Sequence, residues 1–168
     1  MQVLETDRLI LRHLTTEDAP FILELLNDAA FLHFIGDKGV RTLGDAKQYL
    51  IDGPIDSYAR LGFGSYMVEL KDSHTPIGMC GIIKREQLTD ADIGFAFLPD
   101  YRAKGYATEA ATAVRDYALK TLGLTRLAAI TNPDNFGSIR VVEKLGLVYK
   151  RMIRLTPESP EIRLYESE

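Results

Sequence analysis

The feature that most constrains the fold is the segment from Ala91 to Leu122, where a predicted strand leads almost directly into the longest predicted helix. Residues 91–98 are rich in aromatic, β-branched and glycine residues, which is typical of a strand. Apolar residues then recur at helical spacing, and Gly123 stands where the helix should end. The apolar face of this helix would consist of Ala107, Ala110, Ala111, Val114, Ala118 and Leu122.

The loop between this strand and helix reads Arg102-Ala103-Lys104-Gly105-Tyr106-Ala107 and has the features of an anion site. Gly105 allows a tight turn, and the small side chain of Ala107 lets a ligand approach the first helical turn. Free amides at a helix start, with the positive end of the helix dipole, attract anions. Arg102 and Lys104 add positive charge, which favours a pyrophosphate over a carboxylate. A plain turn with two solvated basic residues is the alternative interpretation.

A second strand-to-helix junction follows at Asn132-Pro133-Asp134-Asn135-Phe136-Gly137-Ser138. It joins a short predicted strand, residues 127–131, to a helix predicted from about Phe136 to Leu145. Asn135 lies where a helix cap is expected, and capping alone would account for it. Ser138 would lie near the first helical turn and face the end of the preceding strand.

The rest of the sequence predicts further strands and helices without a repeat, a low-complexity segment or a linker. A first helix is expected after Thr15 and Thr16, and a second over Leu43 to Leu50, which Gly53 and Pro54 should stop or bend. Further strands are predicted over residues 8–14, 63–70, 76–84, 147–155 and 161–165. Short connections make the consecutive strands between residues 63 and 98 antiparallel. The prediction is one α/β domain spanning residues 1–168.

Composition narrows the classes of function. The chain has 168 residues, which suits one domain. Its net charge of −4 argues against binding nucleic acid non-specifically. A lone cysteine, Cys80, allows no internal disulfide, and three scattered histidines give no metal-ligand spacing. No signal peptide or membrane span is predicted, so we expect a cytoplasmic protein without a bound metal.

Taken together, the two junctions resemble those of the GCN5-related N-acetyltransferase (GNAT) superfamily, and in detail its ribosomal-protein N-terminal acetyltransferases (RimJ/RimL type). The similarity also includes Glu5-Thr6-Asp7-Arg8-Leu9-Ile10-Leu11-Arg12, Ile93-Gly94-Phe95, and Arg140 to Leu147. It implies a mixed α/β fold with a curved sheet of about seven strands and about four helices. Strands four and five would splay apart, and acetyl-coenzyme A would lie between them.

The resemblance also implies which residues bind the cofactor. The backbone amides of Arg102 to Ala107, in the loop after strand four, would hold the pyrophosphate, and the main chain near Phe97 and Leu98 would pair with pantetheine. Asn135 would contact pantetheine or the acetyl end, and Lys144 would reach the nucleotide phosphate. The complete predicted cofactor set is Phe97, Leu98, Arg102, Ala103, Lys104, Gly105, Tyr106, Ala107, Thr108, Asn135, Ser138 and Lys144.

For catalysis, an amide at an irregularity expected near Phe95 to Phe97 would stabilise the oxyanion. Many superfamily members protonate the thiolate with a tyrosine at the position that Val142 occupies here. The resembled subgroup places a serine three residues after the helix-start asparagine, which is Ser138 here, and the resemblance thus implies Ser138 as the candidate acid, as a hydrogen-bond donor or proton relay.

Asp92 is the candidate base, acting through water, although it could equally be a solvent-facing strand residue. Other candidate bases are Glu69, Glu158 and His33. Phe31, Phe34 and residues 36–41 are expected to form part of the acceptor wall or to belong to the core.

A protein or peptide N-terminal α-amine is the expected acceptor, with a ribosomal-protein N-terminus among the possible partners. An α-amine has a pKa near 7.7 to 8.0, so part of it is neutral without a strong base. A polyamine or aminoglycoside acceptor and a non-catalytic acyl-coenzyme A sensor remain as alternatives, in a monomer or homodimer. A dinucleotide-binding dehydrogenase is disfavoured, because no early Gly-x-Gly-x-x-Gly motif is present.

Overall fold

The computed structural model describes all residues from 1 to 168 and contains eight strands and six α-helices. The strands are β1 (Gln2–Glu5), β2 (Leu9–His13), β3 (Ser65–Leu70), β4 (Pro76–Ile83), β5 (Asp92–Phe97), β6 (Ala128–Thr131), β7 (Val148–Ile153) and β8 (Ile162–Glu166). The helices are α1 (Ala19–Leu26), α2 (Ala29–Phe34), α3 (Leu43–Leu50), α4 (Asp56–Leu61), α5 (Tyr106–Lys120) and α6 (Phe136–Lys144). None of the helices combines the length and apolar character needed to cross a membrane.

The strands form one mixed sheet in the order β1-β2-β3-β4-β5-β6-β8-β7. Every neighbouring pair is antiparallel except β5 and β6, which are parallel. That parallel pair is joined at one register position, Asp92 opposite Ala128, where the Ala128 amide donates to the Ala91 carbonyl at 2.9 Å. Beyond this point the two strands diverge, which confirms the predicted splay. We call the gap between residues 93–97 and 129–131 the β5–β6 cleft.

Helix α5 covers one face of the sheet beside this cleft. Its buried positions carry small side chains, namely Ala110, Ala111, Val114 and Ala118. Small residues let the helix axis approach the strands closely, so α5 packs on β4 and β5 with Ile93 and Phe97 beneath it. The start of α5 is thereby fixed next to the carboxyl end of β5.

The opposite face of the sheet is covered by α1 and α3. Ile22, Leu25 and Leu50 are fully or almost fully buried there, and Met67 and Met79 reach them from the sheet. Ala96 of β5 packs against this second cluster, whereas Ile93 packs under α5. Since side chains alternate along a strand, Asp92 shares the face of Ala96.

The sequence prediction missed three features of the fold. Helix α2 (Ala29–Phe34) was not predicted, because Gly36 and Gly39 indicated a loop from Phe31 onward. Strand β1 was not predicted, because four residues at a sheet edge carry too short a pattern. The second predicted helix does not stop at Gly53 and Pro54: residues Ile51–Ile55 form a π-helical turn and the helical path continues to Leu61. A π turn accommodates a proline because local widening of the helix relieves the clash with the preceding turn.

The irregularity expected near Phe95 to Phe97 is absent, and that prediction was wrong. The β4–β5 ladder keeps a constant register from Gly78 opposite Phe97 to Ile83 opposite Asp92. A Cβ at Gly78 would lie 2.6 Å from the Phe97 ring. The glycine therefore leaves space for the ring, and the large side chain fits without a bulge.

Candidate functional site at the β5–β6 cleft

The loop that begins α5 presents a run of free backbone amides at the mouth of the cleft. None of the six amides from Ala103 to Thr108 donates a hydrogen bond within the chain. Gly105 is the N-cap and has no side-chain cap. Consecutive unpaired amides at the positive end of a 15-residue helix form an anion site, and their number suits a diphosphate.

The backbone of this loop turns through two left-handed residues, Ala103 with φ of 60° and Gly105 with φ of 84°. Alternation of left- and right-handed conformations curves a chain so that its amides point inward, as in anion-binding nests. The amide of Arg102 instead donates to the Pro99 carbonyl at 3.2 Å. The free run therefore starts one residue later than predicted, at Ala103.

The edge of β5 supplies further groups that face the cleft. Alternate residues in an antiparallel ladder direct both backbone groups to the same neighbour. The Leu98 amide donates to the Ile77 carbonyl at 3.0 Å, and the Leu98 carbonyl accepts from Tyr101. Leu98 is thus occupied within the chain, while the amides of Phe95 and Phe97 are directed into the cleft.

The side chain of Arg102 lies away from the free amides. Its Nε donates to the Phe97 carbonyl at 3.0 Å, and its Nη2 lies 2.5 Å from Oδ2 of Asp28 at the start of α2. This guanidinium therefore joins the end of β5 to α2, and much of its charge is balanced there. The charge that we assigned to the anion site from Arg102 is largely directed elsewhere, whereas Lys104 remains, with Nζ 5.9 Å from the Tyr101 ring centre.

At the second junction, Asn135 caps α6 and accepts from the Ser138 amide at 3.3 Å through Oδ1. The predicted cap is therefore present. Ser138 is half-buried in the first turn of α6, and its hydroxyl has no hydrogen-bond partner in the chain. The structure thus leaves that hydroxyl available to bond a ligand.

One polar group at the cleft was missed by sequence reasoning. Thr131, the last residue of β6, is only 6% exposed, and its hydroxyl has no hydrogen-bond partner. A buried hydroxyl without a partner is unfavourable, so its position at the cleft suggests that a ligand satisfies it. A threonine that ends a short strand carries no distinctive sequence signal.

Asp92 is neither solvent-facing nor free. It is 1% exposed, and Oδ1 lies 3.0 Å from the Nε of Arg85. Burial raises the pKa of Asp92, while the nearby guanidinium of Arg85 opposes that shift. Partial desolvation, and after it the charge of Arg85, lower the pKa of Lys38, which lies in the loop before α3 and is exposed at the surface. Arg85, and after it Lys84, are therefore the cationic groups that act on Asp92 at the closed end of the cleft.

The other predicted bases lie elsewhere. Glu69 is buried two strands away in an ion pair with Arg12 at 2.9 Å. Glu158 is exposed in the turn between β7 and β8, and His33 is exposed on α2 with its ring against Phe34. None of the three contacts Asp92 or Ser138.

Lys144 is also separated from the anion site. It ends α6, and the next residue, Leu145, accepts a hydrogen bond from Arg115 at 3.1 Å. Arg115 is nine residues after Tyr106, which corresponds to about 14 Å along α5. The structure therefore does not bring Lys144 together with the amides at the helix start.

The predicted acceptor wall divides into core and surface. Phe31 is buried with α1 and α3, while Phe34 is half-buried. The loop over residues 36–41 folds back on α1, because Asn27 donates to the Val40 carbonyl at 2.8 Å. Between this loop and α3 runs an open groove of about 420 Å³. Its lining consists of Lys38, Gly39, Val40, Asp45, Gln48, Tyr49, Asp52 and Gly53.

Comparison with known proteins agrees with this geometry. A family model described as "Acetyltransferase (GNAT) domain" matches residues 8–148. YnaD of Bacillus subtilis, described as an uncharacterized N-acetyltransferase, is 32% identical over 84% of this chain and 80% of its own length. An acetyltransferase from Agrobacterium tumefaciens superimposes with a TM-score of 0.81 at 27% identity, over 100% of this chain and 94% of that one. The ribosomal-protein-S5-alanine acetyltransferase of Vibrio fischeri superimposes with a TM-score of 0.80 at 20% identity, over 99% and 96% of the two chains.

Proposed function

Since the chain belongs to the GNAT acetyltransferase family, we propose that it transfers an acetyl group from acetyl-coenzyme A to the N-terminal α-amine of a protein or peptide. Acetyl-coenzyme A dependence and transfer to nitrogen follow from the family itself. The acceptor class and the roles of individual residues are the parts that we propose.

The residues around the cleft fit the cofactor. The six free amides from Ala103 to Thr108 suit its pyrophosphate. The amides of Phe95 and Phe97 would pair with pantetheine as an added strand would. The unpaired hydroxyl of Thr131 and the amide nitrogen of Asn135 would satisfy polar groups nearer the acetyl end. When bound, acetyl-coenzyme A supplies a thioester carbon that an amine can attack.

The chain contributes position and proton transfer to this reaction. Holding the amine next to the thioester removes much of the barrier. For the exchange of the carbon–sulfur bond for a carbon–nitrogen bond, Ser138 would give its hydroxyl proton to the departing sulfur and regain, through water, the proton that the acceptor nitrogen loses. An amide of β5 would stabilise the oxyanion.

The observation that carries the acceptor proposal is the ion pair between Asp92 and Arg85. It leaves no strong, unpaired base at the closed end of the cleft. At about pH 7.4, about a quarter of an α-amine is neutral, against about one in a thousand lysine side chains. Because part of an α-amine is already neutral, this acceptor suits a site in which Asp92 acts at most through water.

Access to the site supports the same acceptor. The groove between residues 38–40 and α3 is open rather than enclosed, so an extended peptide could lie along it. Lys38 and Arg85 place positive charge on the Asp92 side of the sheet, whereas Asp45 and Asp52 add negative charge to the groove, so the acceptor is not selected by charge alone. The described role of the Vibrio fischeri fold neighbour makes protein N-termini the first acceptors to test.

A matched set of acceptors tests the proposal. One peptide carries a free α-amine and an internal lysine, and a second is identical but N-terminally blocked. Spermidine and an aminoglycoside complete the set. We expect mass spectrometry to find one acetyl group on the α-amine of the first peptide only. Acetylation of spermidine or the aminoglycoside, with the free peptide unmodified, would replace this acceptor with a small amine.

A further inference from the structure

The turn between β1 and β2 binds the first helical turn of α5, which lies about a hundred residues later in the chain. Thr6 Oγ1 donates to Oε2 of Glu109 at 2.5 Å, and the amide of Arg8 donates to the same oxygen at 3.0 Å. The Nε of Arg8 donates to Oε1 of Glu109 at 2.7 Å. Both oxygens of one carboxylate are therefore held by a single short turn.

Arg8 extends from this carboxylate to the loop that holds the free amides. Its Nη1 donates to the Lys104 carbonyl at 3.1 Å, and its guanidinium carbon lies 4.4 Å from the centre of the Tyr106 ring. Its Nη2 is 3.3 Å from where a Cβ of residue 105 would lie. One side chain thus contacts Lys104 and Tyr106 and lies next to Gly105 between them.

The residues that Arg8 contacts come directly after Ala103, which has the least favourable backbone conformation in the loop. Ala103 and Gly105 both have positive φ, and for an alanine this costs about 1 kcal/mol or more. The Lys104 carbonyl belongs to the peptide that links Lys104 to Gly105. A hydrogen bond to that carbonyl fixes the peptide plane, and with it the direction of the Gly105 amide on the other side.

We propose that Arg8 is a positioning residue for the cofactor, which orients the amides of residues 103–108 toward the pyrophosphate by holding the Lys104 carbonyl. Glu109 and Thr6 hold Arg8 in turn. The planar guanidinium is required, because its separate nitrogens bond Glu109 and Lys104 at once and its face stacks on Tyr106. This assignment rests on acetyl-coenzyme A as the cofactor and not on which amine is the acceptor.

The proposal is tested by comparing two ligands that differ in the group the loop holds. Coenzyme A has the pyrophosphate and nucleotide, and pantetheine lacks both. Binding of coenzyme A is measured by calorimetry, and binding of pantetheine by chemical-shift titration of the ¹⁵N-labelled protein. We expect Arg8→Gln to weaken coenzyme A roughly ten- to a hundredfold, as lost hydrogen bonds to charged groups do. Pantetheine affinity should change less than about twofold, because the Phe95 and Phe97 amides remain in place.

Two further variants separate positioning from other effects. Arg8→Lys keeps the positive charge but not the planar guanidinium whose separate nitrogens bond Glu109 and Lys104. It should therefore lose nearly as much coenzyme A affinity as Arg8→Gln. Lys71→Gln alters the same turn without touching the loop, because the Lys71 side chain contacts Thr6 and Glu5. The substitution keeps the backbone bond from the Lys71 amide to the Arg8 carbonyl, so this variant should bind both ligands normally. Should Arg8 variants not fold, Glu109→Gln provides the same comparison with a milder change.

The outcomes are decisive in both directions. Selective loss of coenzyme A affinity in Arg8→Gln and Arg8→Lys supports the positioning role. Normal affinity in Arg8→Lys would show that charge alone matters, and equal weakening of both ligands would show a general structural role. Either result overturns the proposal. Because no acceptor is used, the experiment is independent of the α-amine assignment.

Discussion

The guanidinium of Arg102 and the carboxylate of Asp28 form an ion pair of 2.5 Å that links the end of β5 to the start of α2. Asp28 also caps α2 by accepting from the Phe31 amide at 3.2 Å. The motif suggests that Arg102 binds phosphate, but its side chain is paired with the start of α2 instead. The anion site beside it consists of backbone amides, with Lys104 as the nearby cation.

This arrangement predicts a small role for the Arg102 side chain in cofactor affinity. Arg102→Gln should weaken coenzyme A less than about threefold, since a guanidinium paired with Asp28 has little charge left for a phosphate. Gly105→Val is the matched comparison and should weaken binding much more, because valine cannot adopt the left-handed backbone and would displace Arg8. A tenfold or greater loss in Arg102→Gln, measured by calorimetry, would show that Arg102 binds phosphate directly.

Backbone strain at Ala103 gives a second prediction. Ala103→Gly should raise stability by about 0.5 kcal/mol, because relief of the left-handed penalty exceeds the extra freedom of glycine in the unfolded chain. That corresponds to a melting temperature higher by about 1 to 2 °C. Ala113→Gly, in the middle of α5, is the control and should lower stability by about 1 kcal/mol. If both variants lose stability equally, Ala103 is not strained.

Much of the fold and part of the site could be predicted from the sequence. The start of α5 and the cap at Asn135 follow from local patterns of glycine, small residues and capping side chains. The separation of β5 and β6 was predicted from the family resemblance, and the single register contact between these strands at Asp92 confirms it. The sequence could not predict which backbone amides of β5 face the cleft. Whether the Leu98 amide points toward β4 or toward the cleft depends on the register between β4 and β5.

The ion-pair partners of the charged residues could not be predicted from the sequence either. Asp28 lies 74 residues before Arg102, and Glu109 lies 101 residues after Arg8. Asp92 was expected to be either exposed or catalytic, whereas burial beside Arg85 leaves it neither exposed nor unpaired. Charge pairs of this kind depend on how distant segments pack, which no local pattern encodes.

Ser138 provides a prediction about the chemical step. Ser138→Ala should lower kcat by roughly ten- to a thousandfold and leave coenzyme A affinity almost unchanged, if its hydroxyl acts mainly in the transition state. Gly137→Ala is a nearby control in the same helical turn, where an added Cβ meets only Asn135 Oδ1 at 3.9 Å. Weakened coenzyme A binding with normal kcat in Ser138→Ala would make the serine a cofactor ligand instead.

The contact between Glu109 and the β1–β2 turn predicts a pH dependence of stability. Burial alone would raise the pKa of Glu109, but hydrogen bonds from Thr6 and Arg8 outweigh it and hold the pKa below the ordinary value of 4.5. A lowered carboxyl pKa stabilises the folded state above the ordinary value, and this contribution is lost as the pH falls through the folded pKa.

Wild-type protein should therefore be more stable than Glu109→Gln at about pH 6, and the difference should shrink as the pH falls below about 4. Urea unfolding at several pH values measures it. Glu158→Gln, at an exposed position of the β7–β8 turn, is the control and should match the wild type throughout. A difference between wild type and Glu109→Gln that does not vary with pH would mean that ionisation of Glu109 contributes nothing.

The most direct measurement of the central claim follows the backbone amides of the ¹⁵N-labelled protein as coenzyme A is added. The six amides from Ala103 to Thr108 are unbonded in the chain, whereas those of Leu98 and Arg102 are already bonded and serve as internal references. We predict large chemical-shift changes and slowed hydrogen exchange at residues 103–108, with little change in exchange at Leu98 and Arg102. Coenzyme A binding that leaves residues 103–108 unshifted and exchanging freely would contradict the account.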